Sequence, residues 1–91
     1  MNPPRGRAKP TRNQRLVVEE MENGDWEVVF YGTDGKIRHV SHSDKEIAAL
    51  RAAYWIARYY GYKDQVLVRA RHVDHHLNID GLMSRRDHMS R

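Results

Sequence analysis

The sequence predicts a small α+β domain in which a meander of three to four short, largely antiparallel strands packs on one long helix, in the order βββαβ. Three observations predict it. Short runs rich in β-branched and aromatic residues are separated by Asn-Gly and Asp-Gly pairs. One stretch has helical periodicity, opened by Ser43-Asp44-Lys45-Glu46 and closed by Gly61. Ahead of both, the first fifteen residues combine prolines and cations with almost nothing to bury.

The strands come first. Leu16 to Met21 and Trp26 to Tyr31 flank Asn23-Gly24, a pair that tolerates the positive φ of a type I′ hairpin turn. Thr33-Asp34-Gly35 then leads into Lys36 to Val40, so three strands run as an antiparallel meander. In the helix, Ser43 is expected to cap the third amide while Glu46 reaches back to form a capping box, and Gly61 supplies the left-handed stop. Steps of 100° place Ala49, Leu50, Ala53, Ile56, Ala57 and Tyr60 on one core-facing stripe. The alanines form a smooth ridge that lets the helix lie close to the sheet. Gln65 to Ala70 reads as a fourth strand. Trp26, Val28, Phe30, Val18, Ile37, Val66 and Val68 are expected to complete the core, leaving one sheet face uncovered.

Three segments follow from this reading: a flexible basic arm over residues 1–15, the α+β domain over 16–71, and an irregular, His-rich C-terminal segment over 72–91. The formal charge of +4 is unevenly spread over them. Residues 1–15 hold five cations and no acid, residues 16–64 hold nine acids against six bases, and residues 65–91 hold five arginines against three aspartates. Attraction to a polyanion therefore belongs to the ends. With no cysteine there is no disulfide and no thiolate metal site. No stretch approaches a membrane span and no signal-peptide pattern opens the chain, so a cytoplasmic location is expected.

The chain lacks a nucleophile elbow, a phosphate-cradling glycine loop with lysine, and paired carboxylates with a proton-transfer task, which argues against an enzyme. His72, Asp74, His75, His76 and Asp80 include metal-ligating types, but adjacent histidines point in different directions along either regular backbone. No metal and no cofactor is expected. His39 and His42 read as surface residues.

Two surfaces are candidates for binding. Arg5, Arg7, Lys9, Arg12 and Arg15, with help from Lys36 and Arg38, can each neutralise a phosphate, giving salt-sensitive affinity for nucleic acid with little sequence information. The second is the outer face of the helix, where Ile47, Arg51, Tyr54, Trp55, Arg58 and Tyr59 mix aromatic rings with guanidinium groups, types enriched at interfaces. A protein partner, a second copy, the chain's own C-terminal segment or stacked bases each fit that face.

The run Gly24-Asp25-Trp26-Glu27-Val28-Val29, then Asp34-Gly35-Lys36-Ile37-Arg38, then Ser43-Asp44-Lys45-Glu46 and Ile56-Ala57-Arg58 resembles two groups of proteins. One comprises short uncharacterised bacterial proteins of strand-strand-strand-helix-strand order. The other comprises the three-stranded-sheet-plus-helix DNA-binding domains of plant ethylene-response factors and of the arm-binding domains of tyrosine integrases. The second resemblance implies a sheet laid in the major groove, but strand one presents Glu19, Glu20 and Glu22, which phosphates would repel. The leading expectation is thus a non-enzymatic nucleic-acid-binding accessory protein, of the size and composition of phage or mobile-element products, contacting double-stranded DNA through its arm. The alternative is a protein-interaction module or homodimeric adaptor or inhibitor using the helix face.

Overall fold

The structure, a computed structural model, describes residues 14–83. Five strands, β1 (Leu16–Glu20), β2 (Trp26–Tyr31), β3 (Ile37–Ser43), β4 (Val66–Ala70) and β5 (Val73–Leu77), and one main helix, α1 (Glu46–Tyr60), form it. A short helical turn follows at residues 79–83. The class is α+β as expected, but the sheet has five strands in the order β3-β2-β1-β4-β5, not three or four. β1 and β4 run parallel, because α1 carries the chain across the sheet before β4 pairs with the free side of β1. The element order becomes βββαββ. The segment from His72, expected to be irregular, supplies β5, which is antiparallel to β4.

Both hairpins of the meander use one turn design, and it is not the type I′ expected at Asn23-Gly24. Only Gly24 and Gly35 have positive φ in these turns (89° and 83°), whereas type I′ needs two such residues. In each, the glycine N–H donates back three residues, Gly24 to Met21 and Gly35 to Gly32, both at 3.0 Å. Asn23 Oδ1 then accepts from the Asp25 N–H, and Asp34 Oδ1 from the Lys36 N–H, each at 3.0 Å. These bonds are the Asx-turn pattern that places Asn and Asp in tight turns. The β4–β5 hairpin is the true two-residue turn. Its central residues, Arg71 and His72, both take positive φ (52° and 67°) without being glycine.

α1 starts later than expected. Ser43 pairs with Trp26 as the last residue of β3, so it cannot cap a helix, and Lys45 takes the N-cap position without a side-chain cap hydrogen bond. The C-terminus ends as predicted on left-handed Gly61, φ 69°. Ala49, Ala53 and Ala57 are fully buried, so the small ridge does bring the helix down on β1, β2 and β3. Leu82, also fully buried, joins the same core with Leu77 and Ile79 packed against it.

Two expected core residues lie elsewhere. Tyr60 is 40 % exposed as the last residue of α1, although its ring centre lies 4.7 Å from that of Phe30. Ile37 is 44 % exposed: it opposes Tyr31 across a register shift on edge strand β3 and so misses the helix side. Tyr62 fills the corner instead. Its hydroxyl accepts from the Arg15 N–H at 3.0 Å and donates to the Gln65 carbonyl at 2.5 Å, tying the start of β1 to the start of β4. Burial raises the Tyr62 pKa above the usual phenol value. Among the described residues, no helix is long and apolar enough to cross a membrane.

Candidate functional site

The two predicted residue sets fare differently. Of the nucleic-acid set, Arg5, Arg7, Lys9 and Arg12 lie outside the described residues. Arg15, counted with the arm, belongs to the fold. Its guanidinium sits 5.4 Å from the Phe30 ring centre and 5.2 Å from that of Tyr62, and Nη1 donates to the Tyr31 carbonyl at 3.1 Å. A cation held this way is a packing element first. Lys36 is exposed in the β2–β3 turn, and Arg38 pairs with Asp34 at 3.1 Å.

The helix set, in contrast, is gathered on one surface. Arg51, Trp55, Arg58 and Tyr59 are exposed, and Ile47 and Tyr54 are half-buried on the flank. Trp55 is 59 % exposed and Tyr59 82 %, values that leave most of each ring available to a partner. The rings are ordered by their neighbours. Tyr54 and Trp55 meet edge to face at 5.4 Å, and the Arg58 guanidinium lies 5.7 Å and 5.9 Å from their centres. Arg58 Nη1 also donates to the Tyr54 hydroxyl at 3.3 Å. Tyr59 meets Tyr60 edge to face at 4.9 Å. This stacking spaces the rings with little rotamer freedom left to lose on binding.

Trp55 and Tyr59 also wall a groove of about 600 Å³ between α1 and β3, whose floor and far side include Ile56, Tyr60, His39 and Ser41. Sequence reasoning missed His39, Ser41 and Tyr60 here. For His39 and Ser41 the signal is the period-two alternation of β3, which becomes readable only once Phe30 is known to pair with His39 and Val28 with Ser41. Tyr60 closes the end of the groove, its hydroxyl 3.5 Å from the Arg38 carbonyl. The cationic tip of the β2–β3 hairpin therefore adjoins the Arg/aromatic face. From Ile47 to Lys63 the chain contains no acid, although residues 14–83 hold eleven acids against nine lysines and arginines.

Within the described residues the C-terminal segment, one candidate to cover that face, reaches only its edge: Asn78, Ile79 and Asp80 line a pocket with Ala57, Arg58 and Tyr62, while Trp55 and Tyr59 stay exposed. The histidine cluster is also dispersed. Along β5, Asp74 and His76 take one sheet face and His75 the other, and no three metal-ligating groups converge among the described residues. Asp74 is engaged by Arg69 through bonds of 2.6 Å and 3.1 Å, which hold its carboxyl below the usual range.

The chain matches no family model, no curated protein and no solved structure. What defines its class is the fold and this surface: a five-strand α+β domain with one main helix and an aromatic–arginine groove at one sheet edge.

Proposed function

We propose that this chain is a non-enzymatic nucleic-acid-binding module that reads its ligand with the Arg/aromatic face of α1 and neutralises phosphates with the basic residues of its N-terminal segment. The observation that carries the reading is the exposed Trp55 and Tyr59 beside Arg51 and Arg58, in a stretch of chain free of acid from Ile47 to Lys63. Aromatic faces stack on bases while guanidinium groups follow the backbone, a combination suited to unpaired strands. The acidic residues of β1 argue against a sheet laid in the major groove.

The chain carries its own reporter. Of its two tryptophans, Trp26 is buried and Trp55 is exposed, so ligand stacking changes the fluorescence of Trp55. Titration with single-stranded and duplex oligonucleotides at two salt concentrations is expected to quench that signal, with tighter binding of the single strand. Replacing Arg5, Arg7, Lys9 and Arg12 by serine should flatten the salt dependence, by about 0.7 in log–log slope for each phosphate no longer neutralised. Absent or salt-independent binding refutes the reading.

The apolar wall of the groove favours one second reading, a protein contact or homodimer through the same face. Sedimentation of the parent beside Trp55→Ala decides it: a dimer that the substitution dissociates supports this alternative, and a monomer in both removes the homodimer.

A further inference from the structure

Successive side chains of β3 go to opposite faces of the sheet. His39 pairs with Phe30 and Ser41 with Val28, and both partners belong to the core beneath α1. Directly opposed residues share a face, so His39 and Ser41 stand on the helix side. They also stand at its margin, because β3 is the outermost strand in the order β3-β2-β1-β4-β5. Between this margin and α1 runs the groove of about 600 Å³, within the range of about 300–1,000 Å³ usual for ligand sites. Ile56, Trp55, Tyr59 and Tyr60 supply much of its apolar lining, while Ser41, His39 and Arg58 supply polar groups. A mainly apolar lining with a few placed polar groups is the composition of a site for a small, flat ligand.

Three features define the occupant. The first is the set of rings, each held by its neighbours: Tyr60 lies 4.7 Å from Phe30, Tyr59 lies 4.9 Å from Tyr60, and His39 lies 6.2 Å from Tyr60. Rings so fixed favour a flat conjugated ring that stacks on them or meets them edge to face. The second is charge. Among the described residues no carboxylate lines the groove, and Arg58 does. Its Nη1 donates to the Tyr54 hydroxyl at 3.3 Å, which leaves the rest of the guanidinium fork for an anionic oxygen. The third is the polar pair on β3. A hydroxyl and an imidazole each donate and accept, so Ser41 and His39 match the edge of a ring that carries both kinds of group. Beside them runs the outer edge of β3, with which no described strand pairs, and which presents main-chain N–H and C=O groups of its own.

A flat ring with a polar edge and an attached anion is a nucleotide. An aliphatic peptide side chain would fill the groove but leave Ser41, His39 and Arg58 without matching groups, which costs binding. We propose, resting on the nucleic-acid reading above, that the groove seats the base of one unpaired nucleotide. Its ring stacks against Trp55 and Tyr59, its polar edge turns to Ser41 and His39, and its phosphate meets Arg58. A base still paired in a duplex has its edge engaged and both faces stacked, so it does not enter. Stacking on the outside of α1 alone would ignore the base edge, whereas this seat makes affinity depend on β3 as well.

Titrating the full chain with a short single-stranded oligothymidylate and with an abasic strand of the same length tests the seat. Both strands offer the same phosphates, and only one offers bases. The base-bearing strand should bind about tenfold tighter or more, and it should move the amide signals of His39 and Ser41 together with the indole signal of Trp55. The abasic strand should leave His39 and Ser41 in place. Alanine at both His39 and Ser41 should reduce the preference for the base-bearing strand several-fold. Tyr59→Ala, at a side chain 82 % exposed, should do the same without touching the core. Equal affinity for the two strands, or shifts confined to Trp55 and Tyr59, overturns the seat and leaves phosphate-driven binding standing. Movement of the His39 and Ser41 signals with protein concentration alone gives the groove to a second copy and also overturns it. No binding of either strand sinks nucleic-acid binding itself, and the seat with it.

Discussion

The two faces of the sheet are made from alternate residues of the same strands, and they solve burial differently. Beneath α1, Leu16, Val18, Val28 and Phe30 meet a helix whose alanine ridge fits them, and the packing is entirely apolar. On the reverse face a narrow apolar band lies beside a charged row in which Glu27 is only 5 % exposed. A carboxylate that dry demands compensating partners, whereas an alanine demands only shape. The helix face is therefore closed by shape alone, whereas the reverse face combines an apolar band with charged pairs.

Paired leucines give the largest expected effect and the most direct way to break this comparison. Leu50→Ala should cost about 2–5 kcal/mol in urea denaturation. Leu67, 4 % exposed on the reverse face, should fall in the same range on replacement by alanine, and a loss below about 0.5 kcal/mol would mark that face as wet. Next is Tyr62→Phe, which removes the hydroxyl bonded to Arg15 and Gln65 and should cost about 1–3 kcal/mol. The same hydroxyl gives a pH signature. Burial raises its folded pKa, so its contribution is complete below the ordinary phenol range and is lost as pH rises through the raised value. Tyr62→Phe should remove that alkaline loss.

A gain of stability should come from the β4–β5 turn. His72 holds positive φ without being glycine, and His72→Gly should stabilise the chain by about 1 kcal/mol, read as a raised denaturation midpoint. The smallest effect belongs to the exposed end of the charged row. Arg69 lowers the Asp74 pKa, so this pair stabilises above the normal carboxylate range and its contribution is lost as pH falls through the lowered value. Both groups are about one-third exposed, so Asp74→Asn should cost under about 1 kcal/mol and less at high salt.

How legible these faces were depended on whether a residue's partner lies near it in sequence. The helix outer face could be drawn from its 3.6-residue period, and Trp55, Arg58 and Tyr59 do share one surface. Arg15 could not be placed, because its partners Phe30 and Tyr62 come from distant segments. The expected Ser43 cap failed for a similar reason: β3 competes for the same residues through its pairing with β2.

By itself, then, the sequence determined the α+β class, the extents of β1, β2 and β4 to within a residue, the glycines that turn Met21–Asp25 and Gly32–Lys36, the stop at Gly61 and the apolar stripe of α1. Each depends on backbone preference or periodicity within a dozen residues. Tertiary structure alone decided that β4 joins β1 in parallel, that the polar run Val73–Leu77 becomes a strand beside it, and that His39, Ser41 and Tyr60 wall a groove with Trp55 and Tyr59. Those outcomes follow from which strand edges remain unpaired after the meander and helix have formed, because every buried N–H and C=O must find a partner.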